Sequence, residues 1–187
     1  MLRRALLVCL FVCCCQPALA DELLTVCYGY GCLVEDVASI SEARWLALAG
    51  LLGAATRADE ERQVLAEVVG QLYAWAGEQT PIHNDRGGNY ADQGVPGGMD
   101  CIDHSLTTTR FLLAIERRGL LRWHRVLERQ LRTTFIFDHY SAAIEEIGLP
   151  AESPAQRYVV DSWFVDNGKP AVILPLEAWK KGAGPNV

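Results

Sequence analysis

The stretch GGMDCIDHSLTTTRFLLAI, residues 97–115, joins a glycine-rich loop to a helix and carries one cysteine, Cys101, at the junction. Ile102, Leu106, Thr109 and Leu113 recur at helical spacing. The pattern predicts a helix from about Cys101 to Glu116, with those four on its buried face and Gly119 at its end. With Asp100 as N-cap, Cys101 falls in the first helical turn. Free amides and the positive end of the helix dipole favour a thiolate there. The Cys101 amide also becomes a candidate donor to a developing oxyanion. Asp100 and Asp103 act the other way, because negative neighbours raise a thiol pKa. A nucleophilic role for Cys101 therefore demands a partner imidazole.

Upstream of this stretch the chain reads as helical. Ser39 or Ser41 caps a helix through EARWLALAGLLGAA, and a second begins near Asp59 with Val64, Leu65, Val68, Leu72 and Trp75 on its apolar face. The loop GEQTPIHNDRGGNYADQGVPGGMD, residues 77–100, is long for a compact domain and reads as functional. Downstream the texture changes. LRWHRVLER is ambiguous between strand and loop, while TTFIFDHYSAAIEEI, RYVVDSWFV and PAVILPL read as strands. Asn167-Gly168 between the last two is a hairpin signal. Helices first and antiparallel strands after them predict an α+β fold rather than the alternation of a parallel α/β fold.

The two middle strands carry a candidate base and its orienter. A hairpin register in which paired residue numbers sum to about 300 sets His139 opposite Asp161, Ser141 opposite Val159 and Ala143 opposite Arg157. An imidazole held by a carboxylate on rigid strands, facing a thiol at a helix tip, follows the logic of a catalytic triad.

The first twenty residues, MLRRALLVCLFVCCCQPALA, have a basic start, an apolar run and a small-residue ending. They read as a secretory signal peptide (residues 1–20) cleaved after Ala20, too short to span a bilayer well. A single domain over residues 21–187 follows, exported to a periplasm or the exterior and not inserted in the membrane after cleavage. Of seven cysteines, Cys27, Cys32 and Cys101 remain after cleavage. In an oxidising compartment CYGYGC closes as a Cys27–Cys32 disulfide and leaves Cys101 unpaired. The alternatives are that Cys27 and Cys32 are free, or that one of them pairs with Cys101. The segment 1–20 holds two arginines and no acid, so its loss takes the charge from −6 to −8. Such a surface argues against nucleic acid as a partner.

In order, GGMDCIDHS, FDHYSAAIEE and YVVDSWFVDNG resemble the Cys–His–Asp motifs of the transglutaminase-like superfamily, within the wider papain-like fold. The resemblance covers roughly residues 80 to 176. It implies a cysteine opening a helix, with the histidine and aspartate on adjacent strands of a following antiparallel sheet. Cys101 is then the nucleophile, His139 the general base and acid, and Asp161 the orienting acid. Residues around Cys101 depart from versions that carry an aromatic beside the cysteine. The second oxyanion donor is sought in the preceding loop, at Gln93, Asn89 or Tyr90.

Each residue also has a plainer reading. Cys101 can be a buried, half-hydrophobic thiol, His139 a strand residue bonded to a carbonyl, and Asp161 a surface partner of Arg157. His104, one turn from Cys101, is a rival base, and His124 reads as surface or core rim. Trp163 shares a strand face with Asp161, as a shield of the His–Asp bond or as core filling. His83, Asp85, Asp92, Asp103 and His104 gather near the loop, but no metal-site spacing is present, and neither RGGN nor GVPGG is a phosphate loop. The expectation is an exported cysteine-dependent acyl-transfer enzyme without metal or cofactor, acting on peptide, protein or cell-wall amides. The alternative is a non-catalytic exported binding or structural domain.

Overall fold

Asp100 makes the helix start that the loop sequence suggests. Its carboxylate accepts from the backbone amides of Ile102 and Asp103, and the Asp103 carboxylate accepts in return from the Asp100 amide. This reciprocal capping box satisfies amides that a helix end leaves free. In the computed structural model, which describes residues 21–134, 137–150 and 153–186, the helix so begun runs Cys101–Arg117. The signal-peptide segment lies outside the described residues.

In chain order the elements are β1 (Glu22–Tyr28), β2 (Val34–Ile40), α1 (Glu42–Gly53), α2 (Ala58–Gly77), a 3-10 turn (Pro81–Asn84), α3 (Cys101–Arg117), β3 (His124–Thr134), β4 (Phe137–Glu146), β5 (Arg157–Asp161), β6 (Val172–Pro175) and α4 (Leu176–Lys180). The strands form an antiparallel hairpin, β1–β2, and an antiparallel sheet in the order β3-β4-β5-β6. The class is mixed α+β. Among the described residues no helix is long and apolar enough to cross a membrane.

Helix α2 buries Leu65, Val68, Val69, Leu72, Tyr73 and Ala76, a stripe at helical spacing that forms the centre of the main core. Helix α3 buries the same kind of stripe, but not the expected one. His104, Thr107, Thr108, Phe111, Leu112 and Ile115 face inward, while Ile102, Leu106 and Thr109 are only half-buried and Leu113 is 37 % exposed. The inner face is polar over its first two turns, so apolar periodicity alone pointed to the neighbouring face. Its polar groups have partners. Thr107 accepts from the Cys27 amide, and Thr108 bonds Tyr73 and Ser162.

A strand hairpin, not a helix, comes first among the described residues. Its turn contains Gly29, Tyr30, Gly31 and Cys32, all with positive φ. Tyr30 and Cys32 bear this left-handed backbone without being glycine, a conformation that needs outside support. Asp103 supplies it by accepting from both of their amides. Cys27 and Cys32 are joined as a disulfide across the same turn.

The strand expectations need three corrections. Segment 133–147 is not one strand: Thr133 and Thr134 end β3, and Phe137 begins β4. The observed β4–β5 register pairs Ala142 with Val160 and Ala143 with Val159, a sum of 302. The slip is two residues, so every side chain keeps its face. Lastly, β5 ends at Asp161 rather than running to Val165, and residues 162–171 form a loop rather than a tight hairpin. Its Asn167-Gly168 pair still makes a turn, closed by Lys169 N–H donating to the Asp166 carbonyl. The strand stops because the Asp161 carboxylate accepts from the amide of Trp163, two residues on, and turns the chain out of the sheet. Trp163 therefore stands beyond the strand.

His124 is not at the surface. It is 2 % exposed, and its Nδ1 lies 2.8 Å from Glu61 Oε1. Glu61 also accepts from the amides of Arg122 and Trp123, fixing the entry of β3 against α2. Burial raises the Glu61 pKa, but these hydrogen bonds outweigh it and the net shift is downward. A depressed carboxyl stabilises the fold above its unfolded pKa, about 4.3, and ceases to do so as pH falls through the folded value. Glu61→Gln should cost about 3 kcal/mol at pH 7. In urea unfolding the gap from wild type should narrow at acid pH; a gap independent of pH refutes the assignment.

Candidate active site

Because β5 stops at Asp161, the ladder between β4 and β5 ends at Ala142–Val160. The β4 backbone at Asp138 and Tyr140 has no β5 partner, and the Cys101 sulfur lies there. Its thiol is 3.9 Å from the Asp138 carbonyl oxygen, and the Tyr140 amide is close enough to favour the thiolate. Helix α3 thus brings its first residue against the strand that carries His139.

His139 is 8 % exposed and its Nε2 lies 2.7 Å from Asp161 Oδ2. The two-residue register slip leaves them diagonal rather than opposite, within reach of an imidazole. Asp161 is buried and fully engaged. Oδ2 also accepts from Trp179 Nε1 at 2.9 Å, and Oδ1 accepts from the Trp163 amide at 3.3 Å. The imidazole is walled by Trp163, Phe164 and Trp179, with ring centroids 4.6, 5.7 and 5.6 Å away. Trp163 is held by donating Nε1 to Asn89 Oδ1. Among the described residues His139 Nδ1 has no hydrogen-bond partner, and no bond joins it to the Cys101 sulfur. Both residues line one cavity of about 660 Å³.

Among the described residues Cys101 is the free cysteine and is half-buried. Burial pushes its thiol pKa up, the charges of Asp100 and Asp161 push the same way, and the Tyr140 amide opposes them. Asp161 takes the place expected for Asp103 as the second negative neighbour. Asp103 itself is raised to about 6 by burial, with the Asp100 charge adding to it. Burial and the two carboxylates thus favour the Cys101 thiol over its thiolate.

The three loop candidates all line the cavity. The Asn89 carboxamide oxygen is committed to Trp163, and its carbonyl accepts from the Tyr30 hydroxyl. Tyr90 is exposed, and among the described residues neither its side chain nor that of Gln93 has a hydrogen bond that would fix it. The Cys101 amide donates to no other residue among the described ones and lies close enough to its own sulfur to favour the thiolate. Sequence reasoning missed Trp179, Phe164, Tyr30 and Arg132. Trp179 carried a usable signal, an aromatic three residues after Leu176 just beyond the last strand; Arg132 fell between the two segments read separately.

His104 does not join this cavity. It is 2 % exposed, with Nδ1 2.8 Å from Ser162 Oγ and Nε2 3.1 Å from Asp85 Oδ2. That last contact has the distance of an ion pair but not the alignment of a hydrogen bond, since neither atom counts as satisfied. Burial lowers the His104 pKa, but the Asp85 carboxylate outweighs it and the net shift is upward; Asp85 itself is raised, chiefly by burial. Of the acidic and histidine groups near the loop, none closes a cluster. Among the described residues the only group of three or more such ligand atoms close together is Cys27, Cys32 and Glu35, and its two sulfurs are bonded to each other.

The chain matches no family model, and no curated protein or solved structure is similar to it.

The buried His104–Asp85 pair has a pH signature. A histidine raised in the folded state stabilises fully below its unfolded pKa, about 6.5, and that stability is lost as pH rises through the folded value. Unfolding free energy should therefore decline above about pH 6.5. Asp85→Asn should flatten the decline; an equal slope in both proteins shows that the pair is not coupled.

Proposed function

We propose that the protein is a cysteine-dependent acyl-transfer enzyme acting on amides, with Cys101 as nucleophile, His139 as general base and acid, and Asp161 as the orienting carboxylate. The observation that carries this reading is one cavity lined by a free thiol and by an imidazole whose far nitrogen is tied to a buried carboxylate. The order of these residues resembles that of the transglutaminase-like superfamily, and the papain-like arrangement belongs to this proposal. The Cys27–Cys32 disulfide supports an oxidising, exported location.

In this mechanism the resting pair is thiol and imidazole. As the sulfur adds to the amide carbonyl carbon, the thiol proton passes to His139 Nδ1. The Cys101 amide donates to the oxyanion. When the C–N bond breaks, His139 returns the proton to the departing nitrogen and a thioester remains. Water or an amine then attacks that thioester, losing a proton to His139 and restoring the thiol. Asp161 keeps the Nε2 proton in place, so that Nδ1 is the basic nitrogen, and the three aromatic walls exclude water from that bond.

A second reading, a non-catalytic binding domain, is favoured by the raised thiol pKa and by the lack, among the described residues, of a hydrogen bond between sulfur and imidazole. Alkylation of Cys101 by iodoacetamide, followed on its own peptide by mass spectrometry, separates the two. At pH 7 the acyl-transfer reading expects His139→Ala to slow the reaction by about a hundredfold, with Asp161→Asn between the two. Equal rates in wild type and His139→Ala, with the inflection of an isolated buried thiol, leave the binding domain.

A further inference from the structure

Arg132 and His139 are direct partners in the β3–β4 ladder, so their side chains share one face of the sheet. Among the described residues lining the cavity, Arg132 is the only arginine or lysine. Its guanidinium is half-buried and stands over the rings of Trp179 and Phe164, 4.8 and 5.9 Å from their centroids. Nη1 donates to the carbonyls of Trp179 and Ala183. Nε and Nη2 have no acceptor among the described residues, and no carboxylate there forms an ion pair with the group. Burial lowers its pKa, with only the more distant Asp161 charge opposing. A half-buried guanidinium with one edge fixed by two carbonyls leaves its Nε–Nη2 edge to meet a carboxylate.

We propose that Arg132 is the anchor for a carboxylate of the bound molecule, which makes the ligand class an amide or peptide bearing a carboxylate beside the group presented to Cys101. The enzymatic consequence rests on the acyl-transfer reading; the binding of the anion does not. The planar fork offers two parallel donors to a carboxylate, and the Trp179 and Phe164 rings hold it flat. Asp138 also borders the cavity, but it belongs to the alternate face of β4 and its carboxylate accepts from Thr133 Oγ1. The carboxylate source is either a C-terminus or an acidic side chain, and both satisfy the same fork.

Paired alkylation tests this without requiring catalysis. Iodoacetate and iodoacetamide deliver the same carbon to Cys101, with iodide leaving in each case, and differ in whether an anion accompanies it. Rates on the Cys101 peptide are compared at pH 9, where the outcome depends less on His139. The expected result is an iodoacetate-to-iodoacetamide ratio about tenfold higher in wild type than in Arg132→Met, largely retained in Arg132→Lys. N-acetyl-alanyl-alanine should compete against iodoacetate and its C-terminal amide should not. N-acetyl-alanyl-glutamic α-amide, whose acid is on the side chain, distinguishes the two carboxylate sources.

An unchanged ratio in Arg132→Met, or equal competition by the acid and its amide, overturns the assignment. Should Arg132→Met fail to fold through loss of its two carbonyl contacts, the competition in wild type decides alone. The same ratio measured in His139→Ala keeps the two proposals apart. Anion selectivity that survives there sustains the Arg132 site even where the acyl-transfer reading has failed.

Discussion

The Asp161 carboxylate is the constraint on which the rest of the arrangement depends. Left alone, a buried carboxylate would cost several kcal/mol. Here the Trp163 amide, the Trp179 indole and His139 surround it. Each partner does something different to the fold. The Trp163 amide ends β5. The indole pins α4 and the chain that follows it. The histidine takes an orientation that strand geometry alone would leave free. Ending β5 also opens the backbone edge of β4 into which Cys101 fits, so one side chain sets both the place of the thiol and the orientation of His139.

Helix α3 must hold its rotation for this fit to persist, and an apolar stripe would fix it loosely. Directional bonds do more. Thr107 holds the amide of Cys27, Thr108 and His104 bond Ser162, and Asp103 holds the turn of the β1–β2 hairpin. Ser162 is the residue after Asp161, so the inner face of α3 grips the strand end that orients His139. The polar residues on this face are a consequence of that requirement: hydrogen bonds fix direction where dispersion contacts tolerate rotation.

Which parts were legible follows from whether the signal was local. The start of α3 could be read because a cap is a short-range event at Asp100 and its neighbours. The parity of His139 and Asp161 could be read because strands alternate with period two, and a slip of two preserves it. The absolute register could not, because the sequence between Glu146 and Arg157 has no Asn-Gly or Asp-Gly pair to fix the offset. The buried face of α3 was misread because His104, Thr107 and Thr108 look like surface residues until their partners, far along the chain, are known. The β1–β2 hairpin hid behind its cysteine-bearing turn, where left-handed Tyr30 and Cys32 depend on Asp103, seventy-three and seventy-one residues distant. Trp179 and Arg132 acquire meaning only once the sheet is assembled.

The electrostatics of the cavity fit a sequential use of charge. Asp100 and Asp161 both oppose a standing thiolate at Cys101, and burial reinforces them. A site built to store a thiolate–imidazolium pair would place fewer acids near the sulfur. One that generates the nucleophile only as it attacks tolerates them, because the negative charge moves at once to the carbonyl oxygen and the proton to an imidazole already facing Asp161. Under the acyl-transfer proposal, the acid that hinders the resting thiolate is also the acid that holds the imidazole receiving the proton, and the same position serves both ends of the transfer.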